Sequence, residues 1–578
     1  MAALENESLR AAPLGGDETI AFTFEDRALR GRRGESLAAA LTAAGERGLR
    51  IARDGRQRGV FCGMGVCQEC LVEIDGKPGN RACMTKLERP MAVRRQALVP
   101  AASAGAGGQA PAAAPLLPEI LVLGGGAAGL NAAITAAESG AKVLVIDERP
   151  MAGGQFFKQR LDSPAVASAI PDDAQFSGGR TLLGRAKAAG VAIMPACQVW
   201  GAFEPLELMI FDGSVSRLCR PQRLIVATGA YERGMPVPGW TLPGVMTTGA
   251  AQTLLRSYGV LAGRRILIAG NGPLNLQVGI ELARAGADIL TIAELAPAPG
   301  IHSLGALAAM AASTPDLLLQ GWRYRRELGR RNIPLHHAHV LASVEAAGGG
   351  LRAKLAPWPR ADHVEPQAFV ADAVLMGYGF MPSNEILRTL GCRHDFDAER
   401  GQLVTRRDTD CRTSIAEIYA AGDCCGLGGA RAAEAEGIIA GAAAAASLGH
   451  AAPAQAVVAA RRALGKHRRF QSGLWRLFAA RRPVAELAHP STLICRCEER
   501  SMSEIGEGFA QGAQALGAVK RLTRAGMGRC QGRYCGPVLA ALSAEEEAAL
   551  GEAAFWAPRP PIKPITIADI VAGSSQVG

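Results

Sequence analysis

The chain has 578 residues, 48% hydrophobic and 20% charged, with a formal net charge of +10. That length exceeds what one hydrophobic core usually organises and predicts roughly three or four domains of a globular protein. No apolar run approaches the roughly 20 residues that a bilayer-spanning helix needs. The polar, acidic start Met1–Arg10 lacks the basic, apolar and small-residue order of a secretory signal, so a cytoplasmic location is expected. Arginines are spread along the chain without a recognised nucleic-acid module, and no nucleic-acid partner is expected. Fourteen cysteines in such a chain read as metal ligands or buried thiols rather than a disulfide framework, and eight of them fall into two tight groups.

Residues 1–100 form the first unit, with a strand-like alternation Thr19-Ile-Ala-Phe-Thr-Phe24 and a helix-like stretch Ser36–Ala44. Cys62, Cys67, Cys70 and Cys83 then give C-x4-C-x2-C-x12-C, the loop spacing of plant-type [2Fe-2S] centres. Gly63 and Gly65 let this loop bend so that amide N–H groups can point at sulfur. Zinc is the alternative, but zinc knuckles pair two short C-x2-C hooks, which this loop does not. The Ala, Gly and Pro of 101–117 cannot build a core and read as a flexible linker.

From Pro118 to about Gly449, buried-strand runs alternate with helical patterns, the signature of a parallel α/β sheet. Gly124, Gly126 and Gly129 form G-x-G-x-x-G between a strand and a helix, and a second strand ends in Asp147. Gly124 makes the turn, Gly126 admits a pyrophosphate and Gly129 lets helix and strand approach. Asp147 is the candidate for the adenosine ribose, with Glu148 behind it. This dinucleotide-binding domain is expected over 118–237 and 370–450, with an inserted second unit over 238–369. In that second unit, Gly270-Asn-Gly272-Pro-Leu-Asn275 has Asn275 for the third glycine, and Pro273 removes an N–H from the phosphate nest. Glu294 would favour NAD over NADP, but a retained structural domain that binds nothing stays open. No C-x-x-C or C-x4-C redox disulfide occurs in this core, Cys424-Cys425 read as buried thiols, and His336, His337 and His339 are expected on one strand with alternating faces.

Residues 451–492 form a basic helical connector, densest from Arg461 to Arg482. It reads either as a helix crossing between domains with a solvated basic face or as a docking face. The final domain, 493–548, has capping-box spacings at Ser501/Glu504 and Ser543/Glu546, before a tail over 549–578. Cys495, Cys497, Cys530 and Cys535 give C-x-C and C-x4-C pairs, with Gly526, Gly528, Gly532 and Gly536 around the second pair as N–H donors. Zinc is a stronger rival here, because the ligands pair two and two.

With Gly154-Gln155, Thr228-Gly229 and Gly422-Asp423 added, the core resembles the two-dinucleotide flavoprotein fold of disulfide reductases and thioredoxin reductase. That resemblance implies that Asp423 holds a flavin ribityl chain and that Glu436-Gly437 begin a helix facing the pyrimidine edge. The first unit is similar to β-grasp ferredoxin-like domains, and the last resembles the helical [2Fe-2S] domain of bacterioferritin-associated ferredoxin. The whole order resembles the alpha subunits of opine oxidases, D-hydroxyproline dehydrogenase and hydrogen cyanide synthase, and more distantly heterotetrameric sarcosine oxidase. The stretches Ala227–Arg233, Pro236–Trp240 and Gly526–Arg533 carry it most specifically.

The resemblance implies two [2Fe-2S] clusters, FAD in the first nucleotide site with NAD or ATP as alternatives, and FMN at a partner interface. It also implies a partner beta subunit whose own FAD oxidises the C–N bond of an amino acid, imino acid or opine, and a quinone or other acceptor. The chain itself would then carry no catalytic acid–base residue. Two other readings stay open: a self-sufficient NAD(P)H-dependent acceptor reductase, and a non-catalytic iron–sulfur redox sensor.

Overall fold

A computed structural model of the chain describes residues 9–98, 113–359, 364–511, 515–543 and 555–571. Most of the 101–117 linker, much of the 549–578 tail and Glu546 of the second capping pair lie outside the described residues. In the first domain, alternation along Thr19–Phe24 buries Ile20, Phe22 and Phe24 on one face. The strand pairs antiparallel with Arg27–Arg32 and parallel with Ala92–Arg95. Leu71–Ile74 and Lys77–Arg81 complete a five-stranded β-grasp sheet. The helix Leu37–Ala43 is buried along its whole length and starts at Ser36, whose hydroxyl accepts the Ala39 N–H at 3.2 Å.

The first nucleotide unit is a parallel sheet ordered Ala192–Met194, Val143–Ile146, Ile120–Leu123, Arg223–Val226 and Ile418–Ala420. Its central strands are apolar throughout and buried on both faces. Helix Ala127–Glu138 lies directly on helix Ala430–Ala446, and small residues allow the approach. A Cβ on Gly437 or Gly441 would stand 2.2 Å from the carbonyl oxygen of Ala128 or Ala132.

Strands Ala230–Glu232 and Phe380–Pro382 pair antiparallel where the chain enters and leaves the inserted unit. The parallel sheet of that unit runs Val245–Thr247, Ala373–Gly377, Arg265–Gly270, Asp288–Glu294, Leu335–His337. Ala373–Gly377 therefore belongs to the insert although it lies past residue 369, because its apolar run is paired on both sides there. The histidines do not share one strand. Ala338 adopts a left-handed φ of 53°, which ends Leu335–His337 and begins His339–Ala347, and brings the His336 and His339 rings to 5.2 Å.

The basic connector is the helix Ala454–Leu477, which packs against Ala430–Ala446 and Leu304–Ser313. Two of its arginines are seen in ion pairs, Arg461 with Asp410 and Arg468 with Glu436. The last domain is a short strand pair, Leu493–Cys495 with Arg500–Ser501, and helices Met502–Ala510, Leu516–Thr523 and Cys535–Ser543. Ser501 caps the first of these helices through a reciprocal box with Glu504. Among the described residues, no helix is long and apolar enough to cross a membrane.

Candidate redox centres

The first loop brings Cys62, Cys67, Cys70 and Cys83 into one buried group, with thiol contacts between Cys62 and Cys67 and between Cys70 and Cys83. Gly63 and Gly65 take φ of 61° and 78°. A side chain at Gly63 would press on the Ala250 backbone at 3.0 Å. Burial alone would raise the Cys62 thiol, but the Cys67 thiol and the N–H groups of Met64, Val66 and Cys67 bring it down to about 6. A sulfur ringed by amide donors, as at Cys62, is what a [2Fe-2S] cluster asks of a ligand, while burial and the Cys62 thiol push Cys67 up, and the Cys70 thiol and burial push Cys83 up.

In the second group, Cys495 lies 3.9 Å from Cys497, which lies 3.6 Å from Cys530, and Cys535 closes the set on Cys495. Gly528 must be glycine, because a Cβ there would stand 2.4 Å from the Cys497 sulfur. The expectation that glycines wrap this group as donors needs an addition. Gly526 and Gly532 do present N–H groups to Cys495 and Cys530, but their open faces receive the Trp556 ring, within 2.4 Å of where a Cβ would be. Trp556 comes from the tail, and its distance along the chain hid it.

Between the two groups lies a short bridge of side chains. Phe61, beside Cys62, meets Tyr534, beside Cys535, edge-on at 5.4 Å, and meets Trp240 at 5.7 Å. The Arg496 guanidinium, between Cys495 and Cys497, lies 3.8 Å from the Phe61 centroid and 4.5 Å from that of Trp240, and donates to the Trp240 carbonyl at 2.8 Å. Glu69 of the first loop accepts from Arg50 at 3.0 Å and pairs with Arg496 at 3.6 Å. Apart from the Arg50–Glu69 pair, these contacts join residues from different domains, so spacing did not signal them.

The dinucleotide cradle also adjoins the first loop, through Gln155 and Met64. Gly124 has φ of 103°, and a Cβ there would stand 2.4 Å from the Ala227 carbonyl oxygen. Gly126 starts helix Ala127–Glu138 facing Gly154, and Gly129 packs on the Gly124 carbonyl. Asp147 lies one residue past the strand Val143–Ile146 rather than ending it, and its carboxylate accepts the N–H of Gly125 and of Arg149, both at 2.7 Å. The same device recurs in the insert, where Glu294 accepts the Gly272 N–H at 3.0 Å. Glu148 points away from the cradle and joins Arg81 at 2.7 Å and Lys563. Burial would raise its carboxyl, but those two cations hold it down to about 2.

The segments placed by resemblance are partly engaged with protein. Thr228 donates to the Ser383 carbonyl at 2.6 Å, and Asp423 accepts the N–H groups of Gly428 and Gly429 at 2.8 and 2.9 Å. Glu436 accepts from Arg407 through both oxygens at 2.8 Å and from the Gly422 N–H at 2.9 Å. Its neighbour Gly437 serves helix packing, and Gly229 takes φ of 70° in the loop after Thr228. Gln155 reaches Met64 of the first cysteine loop, with its amide nitrogen 3.8 Å from the sulfur. Asn275 replaces close packing with hydrogen bonds, donating to the Gly377 carbonyl at 3.0 Å and accepting from Thr248 at 2.9 Å. Cys424 and Cys425 are buried free thiols.

Comparison with known proteins agrees with this partition. Residues 17–97 match a 2Fe-2S iron-sulfur cluster binding domain, 118–462 the pyridine nucleotide-disulphide oxidoreductases, and 493–545 a BFD-like [2Fe-2S] binding domain. An opine oxidase subunit of Rhizobium meliloti is 34% identical over 458 residues, covering 78% of this chain and 98% of that protein. The HcnB subunit of hydrogen cyanide synthase from Pseudomonas aeruginosa is 33% identical over 72% of this chain and 90% of its own. The alpha subunit of sarcosine oxidase from a Corynebacterium is 25% identical over 97% of this chain and 57% of its own. The crystal structure of L-proline dehydrogenase from P. horikoshii shares the fold at a TM-score of 0.69 and 20% identity, over 98% of this chain and 99% of that one.

Proposed function

From a chain that belongs to the pyridine nucleotide-disulphide oxidoreductase family, and within it to the relatives of the opine oxidase subunits, we propose an electron-transfer subunit of a multi-subunit dehydrogenase or oxidase. On this reading, a partner flavoprotein carrying its own FAD oxidises the C–N bond of an amino acid, imino acid or opine, and this chain takes up the electrons. The observation that carries it is the position of the first cysteine loop. Met64 touches Gln155 of the cradle, while Phe61 touches Tyr534 beside the second cysteine group. One loop thus abuts both other centres.

When bound, the clusters supply one-electron storage and the dinucleotide, if a flavin, two-electron storage. The protein's own part is to hold, insulate and space them. Cys62, Cys67, Cys70 and Cys83 would hold one cluster and Cys495, Cys497, Cys530 and Cys535 the other. Gly124 to Gly129 and Asp147 would hold the dinucleotide. The buried Phe61, Trp240 and Tyr534 exclude water from the space between the cysteine groups. A cavity of about 250 Å³, lined by Tyr231, Lys520, Gln531, Gly532 and Trp556, lies against the loop that carries Cys530 and Cys535 and would offer a quinone or other acceptor an approach.

The test is anaerobic absorbance of the purified chain. With an amino acid or opine alone no cluster bleaching is expected; with the co-purified partner flavoprotein added, the same substrate bleaches the clusters. Rapid bleaching by NADH alone would replace this reading with a self-sufficient reductase, and cluster oxidation that changes partner binding without turnover would replace it with a sensor.

A further inference from the structure

Tyr534 is 3% exposed, and its hydroxyl has no hydrogen-bond partner among the described residues. Leaving a buried phenol unsatisfied forfeits its hydration without return, so an acceptor belongs at this point. The neighbouring Tyr231, at a centroid distance of 5.8 Å, is satisfied, since its hydroxyl donates to the Arg533 carbonyl at 3.2 Å. Tyr534 precedes Cys535 in sequence, yet its ring lies against Phe61, which precedes Cys62. Phe61, Cys62, Cys67 and Tyr534 belong to one buried cluster, so the unpartnered hydroxyl of the C-terminal domain lies in the same core as the first cysteine loop.

We propose that Tyr534 donates its O–H to a sulfur of the cluster held by Cys62, Cys67, Cys70 and Cys83, tuning that cluster from across the domain boundary. Sulfur lone pairs supply the acceptor that the protein lacks. A donor to sulfur favours the reduced, more negative state and raises the potential. The proton stays on the tyrosine, and the second cluster is untouched by this bond. Tyr534 is therefore a positioning and tuning residue, and the first cluster reaches its working potential only when the C-terminal domain is seated. The inference rests on the two cluster sites and not on the partner reading.

The experiment uses the full chain with both clusters and follows each by electron paramagnetic resonance in a reductive titration. The two spectra are assigned with Cys83→Ser and Cys497→Ser. Tyr534→Phe keeps the ring and removes only the hydroxyl. At the wild-type midpoint of the first cluster, the variant should show its reduced-to-oxidised ratio lowered about tenfold, or about 59 mV for a one-electron couple, with the second cluster unmoved. Tyr231→Phe should move neither. If Tyr534→Phe fails to load its clusters, wild-type chain grown on 3-fluorotyrosine, a stronger donor, should move the first midpoint upward. An unmoved first midpoint in the experiment that succeeds, or an equal shift of both clusters, overturns the proposal.

Discussion

Replacing Phe61 by alanine should loosen the C-terminal domain from the first cysteine loop without disturbing either set of ligands. Phe61 is 1% exposed and lies among Tyr534, Trp240 and Arg496. Truncating a buried phenylalanine costs about 3–5 kcal/mol, which already includes the two edge-to-face contacts and the cation contact. Other links across the boundary survive the change: Trp240 Nε1 donates to the Leu493 carbonyl at 2.7 Å, and Tyr231 to Arg533 at 3.2 Å. The expected result is a docked domain that opens more often, not an unfolded chain. Hydrogen exchange should show amides of 493–511 and 515–543 losing protection by about two to three powers of ten at the low end of that cost. The magnetic interaction between the two reduced clusters should weaken in parallel. Unchanged protection together with an unchanged interaction would refute the claim that this ring joins the two centres.

Burial lifts the Glu294 carboxyl to about 8, so the folded chain holds a proton there that the unfolded chain releases near 4.5. Its stability is then greatest below the unfolded value and is lost as pH rises through about 8, by about 5 kcal/mol at about 1.4 kcal/mol per pH step. Glu294→Gln keeps an acceptor for the Gly272 N–H, and thermal melts at pH 5 and pH 9 should show it stabilised over wild type only at the higher pH; equal behaviour at both refutes the linkage. Gly526→Ala places a Cβ 2.2 Å from the Trp556 ring at a φ of 83°, so Trp556 should leave its seat. Its indole emission should shift to the red, and emission identical to wild type would count against this packing.

The two cysteine groups were legible in sequence because ligand spacing is a local property. Three ligands of the first group lie on one short loop, and the second group consists of two close pairs. The strands of the first nucleotide unit were legible because a run such as Ile120–Leu123 has no polar face to offer water. Gly124 and Gly129 were readable for the same reason, since each meets a backbone only a few residues away or on the adjoining strand.

Other residues carried no readable sign. The resemblance puts Glu436 where a cofactor contact is expected, but whether its carboxylate faces a ligand or Arg407 depends on where Arg407 lies in space. Glu148 could not be told from a ribose ligand until Arg81 and Lys563 came in from the two ends of the chain. Asn275 broke a glycine pattern, and only the Gly377 carbonyl and the Thr248 hydroxyl show how the fold accommodates it. The sequence by itself thus determined which centres the protein has, because ligands and phosphate-binding turns are specified over short spans of chain. Their arrangement was decided by the tertiary structure alone. The contact of Phe61 with Tyr534 buries surfaces from opposite ends of the chain, and burial between distant segments leaves no periodicity or spacing in either one.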